Sequence, residues 1–376
     1  MDSNDSGALI NMSSTNGHYR SSNMNPKSSL FTTIYNVVHA IVLLIAFSLS
    51  IYAAKTVRDL ENDVAATAVS LSLGRPSSLS NNEESFSFFR GSGVWHRKRE
   101  LEDVARSDFQ AVSIEGDGTD FVYIFGGKDD AGTYLKSVLK YDTIMDRYSY
   151  LNDMPVARAR YAAAVMKNEE NQHEVWILGG IYASAGDTEF HALCPMVYNV
   201  ATDTWRNETT RCLPSAVKDA CAATGSNNAI YLIGGYGADY TILNSTYKLD
   251  GPLSTAWIKT SDLPDPRGDV TCAALGNNIY LAGGWHDPRG RYEFVSQSAL
   301  FSLDVLTDVW TSAHAEMKNS RGDFQLVANP NSNSLLAIGG ETNTTDNSAT
   351  EIATHHVEEY FVAHDAWEVR QLIPTA

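Results

Sequence analysis

Residues 121–127 of the chain read FVYIFGG, and this apolar run closed by two glycines is the first of five. The other four are residues 175–180 (VWILGG), 230–235 (IYLIGG), 279–284 (IYLAGG) and 335–340 (LLAIGG). The first glycines of successive pairs are 49 to 56 residues apart. A spacing of this kind is the sequence signature of a repeat architecture, in which each repeat is one supersecondary unit.

Two further landmarks recur in register with the glycine pairs. A large aromatic residue follows each pair by 22 to 28 residues, namely Tyr148, Trp205, Trp257, Trp310 and Trp367. An Arg-x-Asp triplet opens three of the repeats, at residues 106–108, 267–269 and 321–323. The β-branched and aromatic run before each glycine pair predicts a strand that is buried on both faces. The glycines let the chain leave that strand with a positive φ.

The glycine pair and the aromatic residue that follows it, which is a Trp in four of the five repeats, together resemble the kelch repeat, and the resemblance covers roughly 290 residues. It implies an all-β fold, a kelch-type β-propeller at residues 85–376 with five complete four-stranded blades. A kelch repeat corresponds to one blade of about 50 residues. The Trp of each blade is expected to fill the space between neighbouring sheets, because it buries a large apolar area.

Residues 85–98 are expected to form part of a sixth blade. Trp95 precedes Arg106 by 11 residues, as the Trp of the fourth repeat precedes the triplet of the fifth. Residues 85–98 would then be the two outer strands of a blade shared between the chain termini. Its two inner strands would lie in about 20–30 residues missing after Ala376, which is half a repeat. The alternative is a five-bladed ring in which residues 85–98 belong to a stalk.

Residues 31–54 predict a transmembrane signal-anchor helix. These 24 residues contain no Asp, Glu, Lys or Arg, and about 20 apolar residues in a helix cross a bilayer. A cleaved signal peptide and a buried helix are the alternatives. If the segment is an anchor, residues 1–30 are expected to be a disordered cytoplasmic tail. Residues 55–84 are then a flexible, Ser-rich stalk.

The orientation of the anchor rests on glycosylation sequons, because the positive charges on its two sides are balanced. Three Asn-x-Ser/Thr sequons follow the span, at Asn207, Asn244 and Asn343. Sequons of this kind are acceptors only in the secretory lumen. The sequence therefore predicts a type II single-pass glycoprotein of the secretory pathway or plasma membrane, with the propeller on the lumenal or extracellular side.

The four cysteines are expected to divide into one disulfide and two thiols. Cys194 and Cys212 flank a predicted hairpin turn near residues 202–203, which places them opposite each other on paired strands. Cys221 and Cys272 each precede two alanines, in the small-residue strands expected at the propeller axis. They are assigned to equivalent positions in neighbouring blades and are expected to be free, buried thiols.

Strand direction predicts the binding face of the propeller. The connections between blades and the long loops that follow Gly-Gly should share one face, and loops on a rigid scaffold commonly carry function. The candidate binding residues around the axis and in these loops are Arg106, Asp108, Arg160, Arg267, Asp269, Arg321, Asp323, Trp285, His286, Arg289 and Tyr292. The structural alternative is that each Arg pairs with its Asp or caps a strand. The Arg-Gly-Asp tripeptides are explained by the repeat pattern better than by integrin binding.

The sequence favours a binding module over an enzyme. The formal net charge of −17 argues against nucleic acid or an anionic membrane surface as the main partner, because both need a basic footprint. His355 and His356 are adjacent, but neighbours on a strand point to opposite faces, so the pair makes a poor shared metal site. No catalytic residue, metal or cofactor is predicted. The expected function is a membrane-tethered kelch module that binds a protein or glycan of unknown identity. The alternative is a carbohydrate-active or copper radical oxidase-like propeller enzyme.

Overall fold

The computed structural model of the chain describes residues 95–101, 104–115, 120–183, 189–290, 293–343 and 351–374. The tail, membrane anchor and stalk predicted for residues 1–84 lie outside these residues. So do residues 85–94 of the predicted sixth blade. No helix within the described part of the chain combines the length and the apolar composition that a bilayer crossing needs.

The apolar runs form five four-stranded antiparallel sheets, as the sequence predicts. Blade one contains β1 (Gln110–Glu115), β2 (Asp120–Phe125), β3 (Val138–Asp142) and β4 (Arg147–Leu151). Blade two contains β5 (Ala162–Lys167), β6 (His173–Leu178), a small hairpin of β7 (Ile181–Ala183) and β8 (Glu189–His191), then β9 (Met196–Asn199) and β10 (Thr204–Asn207). Blade three contains β11 (Cys221–Thr224), β12 (Ile230–Ile233), β13 (Thr246–Leu249) and β14 (Ile258–Lys259).

The last two blades carry the same type of small hairpin as blade two. Blade four contains β15 (Thr271–Leu275), β16 (Asn278–Ala282), the hairpin of β17 (Trp285–His286) and β18 (Val295–Ser296), then β19 (Leu300–Asp304) and β20 (Val309–Thr311). Blade five contains β21 (Gln325–Asn329), β22 (Ser334–Ile338), the hairpin of β23 (Glu341–Asn343) and β24 (Glu351–Ala353), then β25 (Val357–Phe361), a 3-10 turn (Val362–His364) and β26 (Ala366–Val369).

The glycine pairs of blades one to four join each of these blades to the next one. Gly180 has a φ of +80°, and a Cβ there would lie 2.6 Å from the carbonyl oxygen of Ala159, so no other residue fits without displacing the backbone. Its amide donates to the carbonyl of Val217, which opens blade three, at 2.8 Å. The small glycine thus allows the backbones of two blades to approach within hydrogen-bonding distance.

The Trp residues also join neighbouring blades. Each indole N–H donates to a carbonyl in the segment that leaves the preceding blade, at 2.9–3.1 Å. The pairs are Trp205 with Asn152, Trp257 with Arg211, Trp310 with Ser261 and Trp367 with Ala315. The Trp of each of these blades therefore fixes the spacing between two sheets as well as filling the space between them.

Residues 95–99 make the same contacts between blades five and one. The indole N–H of Trp95 donates to the carbonyl of Gln371, just after blade five, at 3.2 Å. Tyr148, which replaces the Trp of blade one, donates its hydroxyl to the carbonyl of Arg99 at 3.4 Å. The amide of Arg99 donates to Asp146 at 3.0 Å. Of the predicted strands at residues 85–98, the structure describes only residues 95–98. These four residues are not part of a β-strand.

The innermost strands pack side by side in the order β1, β5, β11, β15 and β21. Blades five and one are joined through residues 95–99 at their outer edges.

The prediction that Cys221 and Cys272 are free thiols is wrong, because the two residues form a disulfide. They are not at equivalent positions. Counted from the triplet that opens each blade, Cys272 corresponds to Ala222, so Cys221 lies one residue earlier than its assigned counterpart. A shift of one residue turns a strand side chain to the other face. Cys221 of β11 and Cys272 of β15 therefore point at each other across the space between blades three and four.

Cys194 and Cys212 also form a disulfide, with Cα atoms 4.0 Å apart. The simple hairpin register used to place them is wrong in detail. β9 and β10 pair Met196 with Asn207, and continuing that ladder would not bring the two cysteines together. Extra residues after Asn207 form a turn, and the pairing resumes where the amide of Leu213 donates to the carbonyl of Leu193. Glu208 holds this turn by accepting from Thr210 and pairing with Arg211 at 2.5 Å.

Candidate binding site at the propeller axis

Five homologous triplets open the blades on one face of the propeller, at residues 106–108, 158–160, 217–219, 267–269 and 321–323. The third residue of each triplet has a left-handed backbone, with φ between 44° and 57°. These five residues are Asp108, Arg160, Asp219, Asp269 and Asp323. Asp tolerates this conformation better than most residues. We call these five residues the mouth ring.

The middle residue of each triplet forms a β-bridge with the residue that follows the Gly-Gly of its own blade. The bridges are Ser107 with Lys128, Ala159 with Ile181, Lys218 with Tyr236, Gly268 with Trp285 and Gly322 with Glu341. The triplets and the loops after Gly-Gly therefore lie on the same face. The glycines in two triplets make room for aromatic rings: a Cβ on Gly268 would lie 2.1 Å from the Tyr236 ring, and one on Gly322 would lie 2.1 Å from the Trp285 ring.

The arginines that open the triplets lie inside the blades. Arg321 is fully buried, donates to the carbonyls of Gly339 and His356 at 3.1 and 2.8 Å, and pairs with Glu358. Arg267 is 2% exposed and pairs with Asp265 at 2.7 Å. These two guanidinium groups are buried and engaged by backbone carbonyls and by the carboxylates of Asp265 and Glu358, so they are not available to a partner. This geometry also explains the Arg-Gly-Asp tripeptides without integrin binding.

Arg106 is also engaged by its own blade. Its guanidinium donates to the carbonyl of Gly126 at 3.0 Å and to the hydroxyl of Ser137 at 3.1 Å. Arg160 differs from the other arginines because it occupies an Asp position of the mouth ring. It forms an ion pair with Asp219 at 2.5 Å, so the sequence-predicted Arg residues do not form one ring.

The carboxylates of the mouth ring crowd negative charge on one side of the axis. Burial raises the pKa of Asp269 well above its usual value, and the nearby charges of Asp219 and Asp323 raise it further. Burial also raises the pKa of Asp219, against the influence of Arg160. Asp323 lies at the exposed rim. The protein packed around its carboxylate still removes water from it and raises its pKa, and the charge of Glu341 raises the pKa further. The site would be stabilised by a positive charge placed among these groups.

Aromatic side chains hold the carboxylates of Asp269 and Asp323 in position. The Tyr236 hydroxyl donates to Asp269 at 2.7 Å, and the Trp285 indole donates to Asp323 at 3.0 Å. Tyr236 also contacts Phe294 edge-on, with ring centroids 5.8 Å apart. The ammonium of Lys218 lies 3.1 Å from the centroid of Tyr240, whose ring is 6.2 Å from that of Tyr236. The mouth thus holds Arg160 among its carboxylates, and the Arg160 charge lowers the pKa of Asp269 and Asp323 against the effect of burial.

The remaining predicted residues lie in the loop of blade four. Trp285 is almost fully buried, so it supports the site from below. His286 lies 3.3 Å from Asp265 and 3.2 Å from the carbonyl of Pro266. Arg289 is exposed and pairs with Glu293 at 2.8 Å, and Tyr292 lies outside the described residues. Among the described residues, no three His, Cys, Asp or Glu side chains are arranged to hold a metal ion.

Sequence reasoning missed Asp219 and Tyr236. The third blade has Val217 where the other blades have Arg, so its triplet carries no Arg-x-Asp signal. The second blade has Arg160 where the others have Asp, which led to its assignment among the arginines. The hairpins between triplet and Gly-Gly also differ in length. Alignment of the left-handed position across all five blades is the signal that finds these residues.

A separate cleft of about 500 Å³ lies away from the mouth ring. Its lining includes the turn at residues 168–170 together with Glu174 and Arg206. The Arg206 guanidinium makes two hydrogen bonds to the Glu174 carboxylate, at 2.6 and 2.8 Å. Because these charges satisfy each other, the mouth ring is the better candidate for recognition of a charged partner.

Comparison with known proteins supports the fold. Residues 122–374 match the family described as the Attractin/LZTR1 beta-propeller. Kelch-like protein 38 of Rattus norvegicus is 27% identical over 194 residues, which cover 51% of this chain and 30% of that protein. Kelch-like protein 25 of Xenopus tropicalis is 25% identical over 254 residues, which cover 66% of this chain and 40% of that protein. The alignments thus span less than half the length of these relatives.

One solved structure shows the same fold. The structure of YjhT aligns with a TM-score of 0.58 at 15% identity, covering 73% of this chain and 86% of that chain. At this identity the likeness concerns the fold alone.

Proposed function

Because the chain belongs to the Attractin/LZTR1 β-propeller family, a family of kelch-type propellers, we propose that its propeller is a protein-interaction module that binds a cationic segment of its partner at the mouth ring. The observation that carries the proposal is the placement of Asp108, Asp219, Asp269 and Asp323 at the same left-handed position of four blades, with Asp269 and Asp323 oriented by Tyr236 and Trp285. A Lys or Arg side chain placed there forms charge-assisted hydrogen bonds and relieves the repulsion.

The geometry supports a protein partner because the carboxylates are held by a rigid scaffold. The backbone at each ring position is fixed by the β-bridge of the neighbouring triplet residue. Hydrogen bonds from Tyr236 and Trp285 orient Asp269 and Asp323. Groups that are oriented before binding lose little conformational entropy when the partner arrives.

The proposal is tested with two fluorescent nine-residue peptides, acetylated and amidated, in which Ser alternates with Lys or with Glu. The net charge of −17 attracts any cation at low ionic strength, so binding is measured in about 150 mM salt, where distant charges are screened. Preference for the Lys peptide supports the proposal only if it depends on Asp269 and Asp323. A Glu169→Gln variant, which removes one exposed charge in the turn between β5 and β6, is the control for general attraction.

We propose further that residues 31–54 tether the propeller to a membrane with the propeller lumenal or extracellular. The uncharged 24-residue stretch supports this proposal. The two disulfides support an oxidising compartment. The test is alkaline carbonate extraction of the full chain and of a variant with Leu43, Leu44 and Ile45 changed to Lys. Retention of the first and release of the second is expected, and equal release of both contradicts the anchor.

We also propose that residues 95–99 are the outer edge of a sixth blade. Trp95 and Arg99 make the contacts to blades five and one that the Trp and the following segment of a blade make elsewhere. On this proposal the blades keep a six-fold spacing. A solution structure or cryo-electron microscopy map showing β21 packed directly on β1 would contradict it.

A further inference from the structure

The cleft of about 500 Å³ lies towards the face of the propeller that is opposite the mouth ring. The triplet before β5 and the Gly-Gly after β6 are both at the mouth, so the turn at residues 168–170 lies at the other end of blade two. The lining also includes Pro252, in the connection between β13 and β14 of blade three. The cleft therefore spans two blades, and its volume is typical of a small-molecule site.

Trp176 brings an unused hydrogen-bond donor to the wall of this cleft. The residue is 1% exposed, and among the described residues its indole N–H has no hydrogen-bond partner. A buried indole N–H usually finds an acceptor. Tyr231 occupies the same position of blade three, and its hydroxyl donates to the carbonyl of Val305 in the next blade at 3.2 Å. In blade three, the carbonyl of Pro252 accepts from Arg211 instead, at 3.0 Å.

The charged side chains that line the cleft are neutralised within the protein. The Arg206 guanidinium makes two hydrogen bonds to the Glu174 carboxylate, and Arg211 pairs with Glu208. Both guanidinium groups lie over the indole of Trp176, with their central carbons 5.6 and 4.7 Å from the ring centroid. A ligand in the cleft would therefore meet donors and acceptors that are already oriented.

These groups favour a neutral ligand over a charged one. An anion is repelled by Glu174 and by Glu170, which is exposed on the turn at the rim. An ammonium group has no lone pair with which to accept from the Trp176 indole. A hydroxyl group serves both needs, because it accepts through its lone pairs and donates through its O–H. A molecule with several hydroxyl groups can accept from the indole and donate to a carboxylate in one bound position.

We propose that the cleft binds a neutral sugar of mono- or disaccharide size. In the bound state, one sugar oxygen accepts from the indole N–H of Trp176. A second hydroxyl donates to the carboxylate of Glu170 at the rim. Because the site lies away from the mouth ring, its occupancy does not depend on a protein partner at the mouth.

The test uses the full chain labelled with 15N at Trp, after enzymatic removal of its N-glycans and in a detergent without a sugar head group. The probes are glucose, galactose, mannose and N-acetylglucosamine at up to about 50 mM. At least one of them should move the indole N–H resonance of Trp176 downfield, because the proton gains an acceptor. Glucosamine and glucuronate, which carry opposite charges, should bind at least about tenfold more weakly than that sugar.

Two variants remove the proposed contacts one at a time. Trp176→Phe keeps an aromatic ring but removes the donor, and it identifies the Trp176 resonance by its loss. Glu170→Ala removes the acceptor at an exposed position, where the fold does not depend on it. Each should weaken sugar binding about fivefold, as measured by saturation-transfer NMR of the sugar.

Each variant has a matched control away from the cleft. The indole of Trp310 is bonded to Ser261, so Trp310→Phe removes a donor that is already used. Glu368 is an exposed carboxylate on β26, so Glu368→Ala controls for the loss of a surface charge. Both controls should leave the affinity for the sugar within about twofold of the wild type.

Three results would overturn the proposal. The first is that none of the four neutral sugars moves the Trp176 resonance at about 50 mM. The second is that Trp176→Phe and Glu170→Ala bind the sugar as tightly as the wild type. The third is that glucosamine or glucuronate binds more tightly than every neutral sugar, which would assign the cleft to a charged ligand.

Discussion

The indole N–H of Trp95 donates to the carbonyl of Gln371, 276 residues away in the sequence, at 3.2 Å. Trp310 makes the equivalent bond to Ser261 within the ring, at 3.1 Å. The two relationships differ in sequence separation but not in geometry. The first therefore joins the beginning of the propeller to its end with the contact that joins consecutive blades.

Removal of this indole donor should weaken the propeller to the same degree as removal of an internal one. Trp95→Phe and Trp310→Phe are each expected to lower the free energy of unfolding by about 0.5–1.5 kcal/mol, the net contribution of a typical hydrogen bond. The measurement is urea unfolding followed by circular dichroism. A normal stability for Trp95→Phe beside a destabilised Trp310→Phe would show that the closing contact does not form in solution.

Loss of a triplet arginine should act on stability. Arg321→Met leaves Glu358 buried without its cation and two carbonyls without a donor, so a loss of about 3–5 kcal/mol is expected. Arg289→Met, at an exposed ion pair, should change stability by less than about 1 kcal/mol. Both variants are compared by chemical denaturation. Equal, small effects would return Arg321 to the set of possible ligand-binding residues.

The sequons should be used unequally. Asn207 and Asn244 are exposed. Asn343 is partly buried, its Oδ1 accepts from the amide of Ser296 at 2.8 Å, and its Nδ2 donates to the carbonyl of Phe294 at 3.3 Å. Glycosidase treatment followed by mass spectrometry of protein from eukaryotic cells should find glycans at Asn207 and Asn244 and little at Asn343. A protein without any glycan would contradict the lumenal orientation.

The raised pKa of Asp269 predicts how stability depends on pH. A carboxyl group whose pKa is higher in the folded state than in the unfolded state holds more protons when folded, so it stabilises the fold at low pH and this contribution is lost as pH rises. At pH 7 this stabilising contribution is absent. Asp269→Asn keeps an acceptor for Tyr236 and tolerates the left-handed backbone. The variant should be more stable than the wild type at pH 7.

This advantage should shrink as the pH falls towards 4, because the wild-type carboxyl then becomes protonated. Thermal unfolding between pH 4 and 8 measures the difference. Glu169→Gln, which removes an exposed carboxylate outside the mouth ring, should show no comparable trend. A stability difference between Asp269→Asn and the wild type that does not vary with pH would contradict the crowding of charge at the mouth.

Local sequence signals predicted the blades well because each blade is built from nearby residues. The runs before Gly-Gly form the second strands of the blades, and the Trp residues lie in the outermost strands or directly before them. Contacts between blades were harder to predict. The sequence alignment of the blades was wrong by one residue at Cys221, which placed its side chain on the wrong face of the strand. The disulfide with Cys272 was therefore not predicted. The extra turn residues held by Glu208 changed the register at Cys212 in the same way.

The candidate site was predictable in position but not in composition. Strand direction placed the triplets on the same face as the loops after Gly-Gly, yet it could not show which side chains enter the blades. Arg267 and Arg321 turn inwards, where backbone carbonyls and the carboxylates of Asp265 and Glu358 accept their hydrogen bonds. Four Asp residues and Arg160 occupy the mouth ring. The left-handed backbone that they share identifies these positions as equivalent.

Binding of the Lys-containing peptide by the wild type, the Asp269→Asn/Asp323→Asn double variant and Glu169→Gln tests the central claim most directly. The account predicts that the double variant binds at least about tenfold more weakly than the wild type in about 150 mM salt, since each lost charge-assisted bond contributes about 1.5–3 kcal/mol. Glu169→Gln should stay within about twofold of the wild type. Equal weakening by both variants, or no weakening by either, would contradict recognition at the mouth ring.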